Sequence, residues 1–206
     1  MASTKRREAI SPRERAAGAS RALEWLWAYF QDQPRPHIFD CGPTSPVSIN
    51  VLLKRKAKLF LADLITPALR ESERFWKRDR KTAVFRTDDF LAQLPPIPGE
   101  SLSLVLGWQV FDLLPREALP PLVERLAALL QPGGVLFFLL REPYLAAGAE
   151  TDWWLEDLQT LGSTGKAHEP FPYPALTNRE VERLLGSNNV KTFLTRHGRR
   201  EILALK

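Results

Sequence analysis

Short apolar runs alternate with amphipathic stretches along this chain, and the alternation predicts strands and helices in turn. His37, Ile38 and Phe39 end an apolar run that Asp40 closes; Gly42 then permits a sharp turn, and Ser45-Pro46 opens a helix over residues 47–53. A serine N-cap accepts a hydrogen bond from a free N–H of the first helical turn. Proline at the first helical position lacks only an N–H that had no partner there. Further strands are expected at 58–64, ending near Asp63, at 82–86, at 101–106 and at 135–140. The last is unbroken in its apolar character, which suits the middle of a parallel sheet.

Helices are expected between these strands. Ser11-Pro12-Arg13-Glu14 is a capping box, and Leu23, Leu26, Trp27 and Phe30 lie on one helical face, which predicts a helix over 11–30. Thr66-Pro67 repeats the cap-plus-proline device before a polar helix running to about Arg80. Pro120-Pro121 starts a helix with a stripe of Leu122, Val123, Leu126, Leu129 and Leu130, and Gln131-Pro132-Gly133-Gly134 turns it into the fifth strand. Thr177-Asn178-Arg179-Glu180 is a second capping box, flanked by Leu176 and Val181 as a hydrophobic staple, in a helix ending at Gly186. Strands at 190–195 and 201–205 follow, joined by a link short enough to demand an antiparallel hairpin. Residues 142–176 read as an irregular insertion with Trp153, Trp154, His168, Phe171 and Tyr173, either a lid or a cover for the sheet edge.

Composition adds limits. The 206 residues are 44% hydrophobic and 26% charged, which suits one α/β domain with a real core. The domain is expected over 21–206, with 1–20 a basic tail or helix extension whose first nine residues are disordered. The lone Cys41 excludes an internal disulfide and fits a reducing, cytoplasmic setting. No apolar run is long enough to span a bilayer. The net charge of +5 comes from basic clusters at 5–21, 54–58, 74–86 and 196–200, read as solvated faces, with RNA as a lesser alternative partner. His37, His168 and His197 lack metal-ligand spacing.

In an open α/β sheet the turn after Asp40 is where a ligand sits, and Asp63 lies at the distance where an acid meets a ribose. Helix capping is the structural alternative for Asp63. Five βα units, a helix and a terminal hairpin resemble the class I S-adenosylmethionine-dependent methyltransferases. The residues carrying the resemblance are Asp40-Cys41-Gly42, Asp63, Asp88-Asp89-Phe90, Trp108-Gln109 and the Pro132-Gly133-Gly134 turn. It implies a Rossmann-like three-layer α/β sandwich, with a mostly parallel seven-stranded sheet and a C-terminal antiparallel hairpin.

It also implies S-adenosylmethionine as cofactor, held by Asp40, Gly42, Thr44, Ser45, Asp63, Leu64, Asp88, Asp89, Phe90 and Trp108. The implied activity is methyl transfer to a small-molecule acceptor, with RNA or protein as other acceptors; the sequence sets no oligomeric state. An NAD-type site is disfavoured, since the turn holds one glycine where that fingerprint needs three.

The first motif departs from the family pattern. Thr44 and Pro46 stand where further glycines are usual, adding side chain, and Pro46 removes an N–H. Either Thr44 and Ser45 hydroxyls replace backbone donors, or the site has decayed and the chain is a non-catalytic binding or assembly protein.

Overall fold

A computed structural model of the protein describes residues 16–79, 82–143, 152–164, 171–186, 189–195 and 199–206. In chain order the elements are β1 (Ala16–Ala19), α1 (Arg21–Tyr29), β2 (His37–Asp40), α2 (Pro46–Lys54), β3 (Lys58–Leu61), α3 (Ile65–Arg70), β4 (Trp76–Asp79) and β5 (Thr82–Phe85). They continue with α4 (Thr87–Leu91), β6 (Leu102–Trp108), α5 (Leu119–Leu129), β7 (Leu130–Arg141), β8 (Trp153–Leu155), β9 (Thr160–Ser163), α6 (Asn178–Leu185), β10 (Val190–Leu194) and β11 (Arg199–Leu205).

The central sheet runs β10-β11-β7-β6-β2-β3. β3, β2, β6 and β7 are parallel, while β11 returns antiparallel beside β7 and pairs with β10 as the expected hairpin. β6 is buried along its whole length, as a strand covered on both faces must be. The Rossmann-like α/β architecture is therefore present.

The structure differs from the sequence expectations in five places. First, the strand expected at 82–86 forms, but it pairs with β4 in a two-stranded ribbon, so the central sheet has six strands among the described residues. Phe75, Phe85 and Phe90 pack ring against ring beneath this ribbon, and that cluster prevails over a longer helix. Second, the helix expected from Thr66 to Arg80 stops at Arg70.

Third, the first helix begins at Ser20, not Ser11. The Ser20 hydroxyl accepts from Leu23 N–H at 3.0 Å and donates to Glu201 at 2.9 Å, so a tertiary contact sets the start. The Ser11 capping box lies outside the described residues, as does the tail expected at 1–9. Fourth, Gln131–Gly134 is no separate turn. It is an irregularity inside β7, with Gly133 at φ 76° and no space for a Cβ at Gly134.

Fifth, the insertion is not irregular throughout. β8 and β9 form a hairpin, and β1 adds to it antiparallel as a three-stranded ribbon. Ser48, in the first turn of α2, fastens this ribbon by accepting from Leu155 N–H at 2.9 Å. The parts of the expected lid at 144–151 and 165–170 lie outside the described residues. Among the described residues no helix is long and apolar enough to cross a membrane.

Candidate functional site at the carboxyl end of the sheet

β2 ends at Asp40, and the chain turns at Gly42 into α2, capped by Ser45 with Pro46 at its start as expected. The turn is tied to both neighbours. Cys41 N–H donates to Leu106 O at 2.9 Å, and Leu64 N–H donates to Cys41 O at 2.9 Å. Parallel pairing of β2 with β6 and β3 thus delivers Asp40, Asp63 and Trp108 to one end of the sheet.

Trp108 dominates this end. Its backbone is left-handed, at φ 49°. Its indole N–H donates to Asp40 Oδ1 at 2.6 Å, and the same oxygen accepts from Gly42 N–H at 2.9 Å. A Cβ built on Gly42 would lie 2.6 Å from Trp108 Cδ1, so the indole edge rests on the face of the turn. The ring meets Phe137 edge-on at 6.1 Å. Trp108 and Asp40 are only 2% and 5% exposed. Burial pushes the Asp40 pKa up, opposed by its bonds from Trp108 and Gly42, while the Asp63 charge adds to the rise. Cys41 is fully buried and its thiol is pushed well up by burial, which leaves it a packed residue and no nucleophile.

Asp63 is committed to the chain itself. Oδ1 accepts from Ile65 and Thr66 N–H at 3.0 and 2.9 Å, and Oδ2 accepts from the Thr66 hydroxyl at 2.6 Å. From the position before the N-cap residue Leu64 it satisfies the first N–H groups of α3, the role expected of Thr66. Leu64 is fully buried. Thr44 is exposed, and Ser45 spends its hydroxyl on Ser48 N–H at 3.3 Å. Asp88 is exposed, Asp89 pairs with Arg86 at 2.6 Å on the surface, and Phe90 is 1% exposed within the Phe75–Phe85 cluster. Of the ten residues singled out by sequence, then, Asp40, Gly42 and Trp108 form one contact set, with Asp63 and Leu64 beside them.

A methyl group added at Gly42 would collide with the indole, so the edge of Trp108 closes over that side of the turn. Among the described residues no group of three or more His, Cys, Asp or Glu could hold a metal ion.

Sequence reasoning missed several buried polar groups nearby. Gln109 is 2% exposed and its Oε1 has no hydrogen-bond partner among the described residues. Asp112, also buried, accepts from Arg141 N–H at 2.8 Å. The basic cluster at 196–200, read as a solvated face, is partly interior: Arg200 is fully buried and binds the carbonyls of Arg141 and Leu176 and the side chain of Asn178. The only signal in the sequence was charge on consecutive residues of a strand otherwise apolar.

No family model matches the chain, and no curated protein is similar to it in sequence. Solved structures are similar in fold. An S-adenosylmethionine-dependent methyltransferase from Mesorhizobium loti matches with a TM-score of 0.50 at 15% identity, over 92% of this chain and all of that one. One from Methanosarcina mazei matches with a TM-score of 0.49 at 15% identity, over 84% of this chain and 93% of that one. The Burkholderia thailandensis 1,6-didemethyltoxoflavin-N1-methyltransferase, solved with 1,6-didemethyltoxoflavin and S-adenosylhomocysteine, matches with a TM-score of 0.47 at 16% identity, over 90% and 78%. S-adenosylmethionine is the cofactor of these neighbours, and they share their architecture with this chain at low identity. The chain has the fold of the class I S-adenosylmethionine-dependent methyltransferases.

Proposed function

We propose that this chain is a methyltransferase-fold protein that acts by binding, with the place of the cofactor's amino-acid portion taken by its own Trp108. One observation carries the reading: the buried indole donates its N–H to Asp40 at 2.6 Å and rests its edge against Gly42. A positively charged amino group would compete with the indole for the Asp40 carboxylate. Evicting the indole would expose a large aromatic surface and break a hydrogen bond to a charged group, a bond worth about 1.5–3 kcal/mol. Any ligand admitted only after that step binds more weakly by the fraction of molecules already open.

A second reading is S-adenosylmethionine-dependent methyl transfer to a small-molecule acceptor, with RNA or protein as further acceptors, in a form where Trp108 has turned away. The left-handed backbone of Trp108 favours it, since a bulky residue there is strained and gains by leaving. Methyl transfer asks the protein mainly for alignment, so the lack of an obvious catalytic cluster does not weigh against it.

Calorimetric titration with S-adenosylmethionine and S-adenosylhomocysteine tests both. The binding reading expects no heat from the wild-type protein at millimolar ligand and measurable binding once Trp108→Ala clears the turn. Micromolar binding by the wild type would overturn it in favour of the second.

A further inference from the structure

Exposed positive charge gathers at the amino end of the parallel strands, opposite the Asp40–Trp108 contact. Arg35 lies in the link into β2, Lys54 ends α2, Lys56 follows its C-cap and Lys58 opens β3; all four are exposed. The ion pairs among the described residues include none of the four. We infer that this end of the sheet is a binding surface for single-stranded nucleic acid. It shares no residue with the Asp40 turn, so the inference stands whether or not S-adenosylmethionine binds there.

An aromatic pair reaches the same end. Trp25 and Tyr29, one turn apart on α1, stack with ring centroids 5.0 Å apart and planes 13° from parallel. The Tyr29 hydroxyl donates to Gly133 O, near the start of β7, at 3.1 Å. Lys191, near the start of β10, stands 5.1 Å over the Trp25 ring. Arg55 Nη2 donates to Phe30 O at 3.1 Å, and its guanidinium lies 5.7 Å over Trp27. Arg55 thus ties the end of α2, with Lys54 and Lys56 on either side of it, to the end of α1. Six strands place β10 and β3 about 24 Å apart, and Tyr29, held at β7, falls between them.

Cations beside a stacked aromatic platform match a single strand, in which phosphates accompany flat bases. Tyr29 remains 43% exposed, so a base can reach it. An acidic peptide would use the cations and leave the rings idle. A lipid surface asks for aromatic side chains that project into it, whereas this pair lies along the protein, with the Tyr29 hydroxyl and the Trp25 ring both engaged. The acids at this end, among the described residues, are Asp32 and Glu100. Lys206 Nζ bonds Glu100 at 3.0 Å, which leaves Asp32 to oppose the cations.

Lys56 offers a clean test. It stands in left-handed backbone, at φ 56°, just past the C-cap of α2, where glycine is the unstrained residue. Removing its charge as Lys56→Gly therefore does not endanger the fold.

Fluorescence anisotropy on the full chain with an oligouridine of about ten nucleotides, a length such surfaces accept, reads the binding. With about five phosphates engaged, affinity is expected to fall about hundredfold between about 50 and 200 mM salt. Lys56→Gly is expected to make the slope of log affinity against log salt shallower by about 0.7, with Tm no lower. Tyr29→Leu, which keeps an apolar cover and loses the ring, is expected to weaken binding at least about fivefold at an unchanged slope. A salt slope untouched by Lys56→Gly, full affinity in Tyr29→Leu, or no binding by the wild type at the lower salt would each overturn the inference. Polyglutamate or phosphatidylserine vesicles bound as tightly as oligouridine would overturn it too, in favour of an acidic protein or a membrane.

Discussion

A bulky residue in left-handed backbone, as at Trp108, persists only where its surroundings over-determine it. Here the surroundings are Asp40, Gly42 and Phe137. Asp40→Asn tests the electrostatic part, since asparagine keeps an acceptor oxygen but loses the buried charge. Burial raises the folded-state pKa of Asp40 above the ordinary carboxylate range. The native state therefore holds this proton to higher pH than the unfolded chain does. The associated stability is full below the ordinary carboxylate pKa and is lost as pH rises through the raised one. Urea titrations across that window are expected to show wild-type stability falling with pH, and a smaller fall in Asp40→Asn. The remainder belongs to Asp112 and Glu201, whose pKa values burial also raises. Asp40, Gly42 and Trp108 were each singled out in the sequence, and the structure brings the three into contact. That the tryptophan bonds the acid was not legible there, because the two residues meet only through the pairing of β2 with β6.

Caps decide the helices at the next scale, and they were the most legible feature where the cap is local. Ser45 with Pro46 and the Thr177–Glu180 box form as expected, because each needs only residues within one turn. The failures came where a distant group intervened. Glu201 sets the start of α1 by holding Ser20 and Ala22 N–H, and an aromatic cluster drawn from three segments cuts α3 short. Asp63 was weighed between ribose and cap, and its three bonds to Ile65 and Thr66 serve the cap. Asp63→Ala is expected to destabilise the fold by about 0.5–2 kcal/mol. The readout is a lower urea midpoint at constant m; an unchanged midpoint would show that the cap contributes nothing.

Across the whole molecule, three arginines clamp the segment before α6 to the sheet and to the turn before α5. Arg116 bonds Ala175 O at 3.0 Å and Glu180, Arg141 bonds Tyr173 O at 2.5 Å and lies 4.1 Å over Phe171, and buried Arg200 bonds Leu176 O. Arg200→Met leaves the carbonyls of Leu176 and Arg141 without their buried donor and is expected to cost about 3 kcal/mol, as breaking a buried charged contact does. Limited proteolysis is expected to cut first at 171–177 in that variant, and wild-type resistance there would argue against the clamp. The mostly parallel sheet and its terminal hairpin were legible from alternating strands and helices, whereas these arginines were hidden, since charge in a sequence reads as surface. Ser48 joins the two halves of this end: its N–H belongs to the cap of α2, and its hydroxyl takes Leu155 N–H from the ribbon. One small side chain thus acts as a rivet between the launch point of a helix and the neighbouring ribbon. Prying up the ribbon must first pull on the helix, so strain imposed on either is transmitted to the other.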